Sequence, residues 1–263
     1  MNKRLYFALL FPMLTPVLAL AQSRFDGTWK MDLKSMQFPK KPDEFLLQDG
    51  MYHCKTCMPP VDIKADGQDQ KVTGHPYYDT LSIKVVDNNT IERAQKKDGK
   101  LIGTSKETVS PDGNTLTMEF TNMSSPSGEP VRGKFEQTRV AKGPSGAHAI
   151  SGSWRAEKME STSENEPSFT LKVQGDTLTC SLSMGPHYSA KLDGTEAPIY
   201  GDPGATSVSV KRVDENTLEE TDKRDGKVIL VQHIRLSADG KTLTVSTEDK
   251  LEGTTSQFLA IKQ

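Results

Sequence analysis

The chain has 263 residues, 34% of them hydrophobic and only 6% aromatic, with a formal net charge of −2. That composition suits small cores under a wet surface. Acidic and basic residues are interspersed, so no basic block exists to follow a phosphate backbone, and nucleic acid is excluded as an expected partner. No cofactor is implied.

Residues 1–21 read as an export signal: Lys3 and Arg4 form a basic start, Leu5 to Leu20 an apolar stretch broken by Pro12 and Pro16, and Ala19-Leu20-Ala21 a small-x-small cleavage site. Cleavage after Ala21 is expected, giving a periplasmic or secreted product. Lys3 and Arg4 leave with the signal, taking the formal charge from −2 to −4. Nothing downstream is apolar enough to span a membrane as a helix, which needs ~20 such residues.

The first strand-like segment opens with Gly27-Thr28-Trp29. Next comes Tyr52-His53-Cys54-Lys55-Thr56-Cys57-Met58-Pro59-Pro60. Haem attachment requires Cys-x-x-Cys-His, and here the His precedes the first Cys. A redox dithiol needs its first Cys near a helix start, which Pro59-Pro60 disfavours. A metal site from His53, Cys54, Cys57 and His75 lacks the usual second ligand pair, so no metal is expected. The favoured reading is a local Cys54–Cys57 disulfide, in keeping with export. Pairing of Cys180 with either one is the alternative.

Gly74-His75-Pro76-Tyr77-Tyr78-Asp79 forms the most aromatic loop. Beyond it, Leu81, Ile83 and Val85, then Leu116, Met118 and Phe120, alternate with polar residues at the period of a strand. Asp98-Gly99 and Asp112-Gly113 punctuate these runs as hairpin signals. No stretch shows a helical period.

Residues 64–117 repeat as 191–244 at a constant shift of 127, with 23 of 54 positions identical. The relation extends outward to Gly152-Ser153-Trp154, to Cys180 against Cys54, and to Phe258 against Phe135. Self-similarity at this length means two copies of one unit. We therefore expect units at 22–141 and 149–263, a Gly-Pro-Ser-Gly linker within 142–148, and about eight meander strands per copy. A meander leaves two open edges unless it closes, so two tandem antiparallel barrels are the expected fold.

Each copy starts with Gly-x-Trp and ends with Phe-x-x-x-basic, Phe135 to Arg139 and Phe258 to Lys262. This pairing resembles the lipocalins and the wider calycin group of up-and-down barrels. The resemblance implies that Trp29 and Trp154 plug the barrels, each latched by the terminal Arg139 or Lys262 of its own copy through a cation–π contact. It also implies a non-catalytic carrier or sensor for a small apolar molecule. Tyr52, His53, His75, Tyr77 and Tyr78 of the first copy are the candidate ligand-binding residues, because the second copy lacks the aromatic loop. Two alternatives stay open. One is a hydrolase or isomerase using His75, Tyr77 and Asp79; the other is a partner-binding module with filled barrels. No nucleophile elbow, phosphate loop or zinc-protease helix is present, so no catalytic residue is assigned.

Overall fold

A computed structural model describes residues 23–163 and 167–263. The export signal expected at residues 1–21 lies outside the described residues.

The first copy contributes β1 (Gly27–Gln37), β2 (Asp43–Gln48), β3 (Met51–Cys54), β4 (Val61–Lys64), β5 (Gln70–Lys71), β6 (Thr80–Val85), β7 (Thr90–Lys97), β8 (Lys100–Val109), β9 (Thr115–Asn122) and β10 (Val131–Lys142). The second contributes β11 (Gly152–Ser161), β12 (Ser168–Gln174), β13 (Thr177–Leu182), β14 (His187–Lys191), β15 (Asp193–Tyr200), β16 (Ser207–Asp214), β17 (Thr217–Arg224), β18 (Lys227–Leu236), β19 (Thr242–Asp249) and β20 (Thr254–Lys262). The described chain is thus all β, in two antiparallel barrel-like sheets of ten strands each rather than about eight. The excess over the expected count includes β4 and β5, of four and two residues, too short to show a period.

The first strands of the two copies have changed places. β1 lies between β12 and β20, where it completes a closed barrel with the second copy. β11 lies between β10 and β2 in the sheet of the first copy. The chain therefore begins in one sheet, builds the other through residues 43–161, and returns. The Gly-Pro-Ser-Gly stretch within 142–148 connects two neighbouring strands of one sheet, β10 and β11.

Two cores follow from this exchange. Trp29 is buried with Leu171, Leu178, Val210, Leu218 and Leu243 of the second copy. Trp154 is buried with Leu47, Tyr52, Ile83, Ile91 and Leu116 of the first. The latches cross accordingly. Arg139 places its guanidinium carbon 3.9 Å from the Trp154 ring centroid, and Lys262 its Nζ 5.1 Å from that of Trp29. The reason is adjacency: each basic residue stands on the strand hydrogen-bonded to the tryptophan strand, β10 to β11 and β20 to β1.

The glycine of Gly-x-Trp is explained by the same contact. Gly27 and Gly152 have φ of +136° and +131°. A Cβ on Gly27 would stand 2.8 Å from Lys262 Cε, and one on Gly152 2.2 Å from the Ala141 carbonyl and 2.9 Å from Arg139 Nη1. Only glycine admits both the backbone conformation and the latch.

Closure differs between the sheets. In the second barrel, β14 and β15 pair at His187↔Tyr200 and Tyr188↔Ile199. In the first, β4 and β5 are the unpaired edges. The segment entering β4 there is Pro59-Pro60, which has no N–H to offer a ladder. Pro59 instead packs on Gly74, where an added Cβ would stand 3.0 Å from its Cγ.

Candidate functional site

Cys54 and Cys57 are joined by a disulfide, and Cys180 is a buried free thiol. The bridge holds the turn between β3 and β4. His53, one residue from the bridge on the opposite face of β3, puts Nδ1 3.3 Å from Asp62 Oδ1 on the outer surface. No cluster of three or more metal-ligating side chains exists among the described residues.

Tyr52 points inward and is fully buried. Its hydroxyl accepts a 2.8 Å hydrogen bond from Arg93 Nη2, and Arg93 Nε lies 3.0 Å from Glu107 Oε1 without the alignment of a hydrogen bond. Ser105 Oγ donates to the same Glu107 oxygen at 3.1 Å. Burial opposes the Arg93 charge, but the carboxylate of Glu107 more than offsets it and raises the proton affinity of the guanidinium. Burial likewise pushes the Tyr52 hydroxyl well above its ordinary range. Nearby, Gln137 Nε2 donates to Asp43 Oδ2 at 2.7 Å, and burial raises the Asp43 carboxyl despite that bond. The interior of the first barrel thus contains a self-neutralised ion pair.

His75 is buried, its imidazole stacked on Tyr78 with ring centroids 4.6 Å apart, and desolvation lowers its pKa. Tyr77 projects the other way. Its hydroxyl donates to Asp202 Oδ1 of the second copy at 3.1 Å, lies over Gly204, and is pushed by partial burial up to about 12. Asp79 accepts from the Asp98 backbone N–H at 2.8 Å and from Thr80 Oγ1 at 2.9 Å, which lowers its pKa. It makes no hydrogen bond or ion pair with His75; the aspartate is the brace of a turn.

Tyr77 and Tyr78 meet Arg93 at one place. Together with Ser105, Met118 and Phe120 they line a cleft of about 770 Å³ at the mouth of the first sheet. Its far wall is the second copy, through Met184, Pro186, Asp202 and Pro203. Of the sequence-expected residues, Tyr77 and Tyr78 face the cleft, Tyr52 lies behind it under Arg93, and His75 supports Tyr78. His53 stands apart, on the outside.

Sequence reasoning missed Arg93, Glu107, Glu220 and Asp222. The signal was present in the strand period. Arg93 and Gln95 are in phase with buried Ile91, and Glu220 and Asp222 with buried Leu218. A charged residue in phase with a core residue is itself the mark of an internal polar site.

No protein-family model matches the chain, and none of the curated proteins does.

Proposed function

We propose that the protein is an exported, non-catalytic carrier or sensor of a small molecule, and that its site is the cleft between the mouth of the first sheet and the second copy. The observation that carries this reading is the cleft itself. Its volume of about 770 Å³ falls in the range of roughly 300–1,000 Å³ typical of ligand sites. Its lining combines apolar Met118, Phe120, Met184 and Pro186 with a few polar groups from Tyr77, Tyr78, Ser105 and Arg93. Methionines adapt to varied apolar shapes, which suits a carrier. The disulfide is in keeping with an oxidising compartment.

Native mass spectrometry on protein purified from its own host tests the reading. A bound small molecule that disappears in a Phe120→Trp variant, whose larger ring fills the cleft, is the expected result. Protein that runs at its bare mass, and melts at one temperature in the presence of every member of a broad metabolite panel, would sink it.

A further inference from the structure

The internal repeat supplies a direct comparison of the two barrel interiors. Arg93 of β7 corresponds to Glu220 of β17 at the constant shift of 127, Gln95 to Asp222, Ser105 to Gln232 and Glu107 to Ile234. The pairing register agrees: Arg93 faces Ser105 across β7 and β8, and Glu220 faces Gln232 across β17 and β18. One barrel therefore holds a guanidinium against a carboxylate at this level. The other holds two carboxylates and has lost the cation.

Both acids point inward with Leu218 and retain only 7% and 9% of their surface. Glu220 is well supplied. Tyr188 donates its hydroxyl to Oε2, and Gln232 Nε2 donates to Oε1 at 3.3 Å. Asp222 is not, for its buried Oδ1 has no hydrogen-bond partner. Among the described residues no cation acts on either acid: Arg224, two residues along the strand, turns its Nε to the Gly204 carbonyl at 2.5 Å. β16 presents Val208 and Val210, β18 Leu230 and Gln232, β13 Cys180 and β14 Tyr188. The further charge acting on Asp222 is another carboxylate, Asp202, which lines the cleft. Asp202 on the cleft wall and the buried Asp222 and Glu220 thus form one acidic group.

A buried carboxylate without a partner is costly, and two together more so. We infer that the second barrel is an organic-cation site, in which the ammonium or guanidinium head of a ligand meets Asp222 and Glu220 while its apolar remainder lies in the cleft. The first barrel displays the arrangement with a built-in cation: a guanidinium that touches both a carboxylate and a tyrosine hydroxyl. Ammonium and guanidinium groups make charge-assisted hydrogen bonds to carboxylate that a neutral group cannot equal. The inference rests on the cleft reading only for the ligand's tail.

The test compares three probes of equal length, hexylamine, hexanol and hexanoic acid, by isothermal titration calorimetry in an amine-free buffer. Hexylamine should bind about tenfold or more tightly than hexanol, with hexanoic acid weakest. The preference should grow as pH rises through the Glu220 and Asp222 values of about 7 and about 8, because protons and the ligand compete for the same oxygens. It should vanish in Glu220→Gln/Asp222→Asn while hexanol binding is kept. Asp222→Asn alone, which leaves Glu220 and both its hydrogen bonds in place, is the variant to read if the double one does not fold, and it should lose most of the preference. Equal binding of amine and alcohol, or a preference that survives these substitutions, overturns the cation site and leaves the cleft reading standing. Absence of hexylamine binding overturns the cation site whatever else the cleft accepts.

Discussion

At the scale of single residues the two latches are unequal. Arg139 donates to the backbone carbonyls of Ala149 at 2.6 Å and Ser151 at 2.7 Å, and also to that of Gly113, besides covering Trp154. Lys262 covers Trp29 from farther away and donates once, to the Arg24 carbonyl at 3.0 Å. Arg139→Ala removes a donor from three part-buried carbonyls, of which that of Ser151 keeps the Gly143 N–H, and should cost ~2–4 kcal/mol in chemical denaturation, against ~1 kcal/mol for Lys262→Ala. Equal losses would show that the planar fork of arginine adds nothing here. The acids of the second barrel make a prediction of definite sign. Burial raises Glu220 to about 7 and Asp222 to about 8, so the folded state holds protons that the unfolded chain gives up near pH 4. Their contribution to stability is complete below that range and is lost as pH rises through 7 and 8. Asp222→Asn should therefore stabilise the protein by ~1–3 kcal/mol above pH 8 and change little at pH 5. A variant less stable than the parent at high pH would contradict this account.

At the scale of elements, the strand period and the tight turns were readable in advance. Asp98 and Asp225 each have φ of +50° and are followed by glycines at +76° and +79°, the two left-handed residues of a two-residue hairpin. Asp112-Gly113 looks the same on paper and differs in fact. Only Gly113 is left-handed there, and Asp112 accepts from Ser110 Oγ and from the Asn114 N–H, building a wider loop. No motif marks Arg93 or Glu220, and only their phase with Ile91 and Leu218 along the strand puts them inside. The cleft was legible only in part. Tyr77 and Tyr78 stood out by composition, but the wall facing them comes from residues more than a hundred positions away. The disulfide was legible from the Cys-x-x-Cys spacing and the expectation of export, and its effect should be small. It closes a loop of three residues' separation, for which the loop-entropy relation gives about 2 kcal/mol. A thiol assay on unfolded, unreduced protein should find Cys180 alone, and reduction should lower stability by about that amount while keeping the fold. Three thiols before reduction would remove the bridge.

At the scale of the whole molecule the exchange of β1 and β11 dominates. It was not legible because the two strands carry the same Gly-x-Trp pattern and the same buried tryptophan, so local sequence fits either slot equally well. A chain cut at an inserted protease site within 143–149 should stay in one piece under native conditions. Each fragment donates a strand with a buried tryptophan to the other's barrel. Size-exclusion chromatography of the nicked protein should show the parent volume, with the fragments parting only in denaturant. Separation without denaturant would show that the strands pair within their own copies. For the same reason calorimetry should record one cooperative transition, since removing either partner opens the other's sheet and exposes its core.

The crossed arrangement also has a history in time. By the point at which residues 23–142 have left the ribosome, they already include β1 through β10, while β11 is still absent. At that point β1, with its own Gly-x-Trp, is the one strand of that pattern available for the slot beside β10 and β2 that β11 fills in the finished molecule. In the finished molecule that slot belongs to the strand of Trp154, and β1 pairs with β12 and β20, made more than a hundred residues later, so vectorial synthesis and one-step refolding of this chain start from different sets of competing strands.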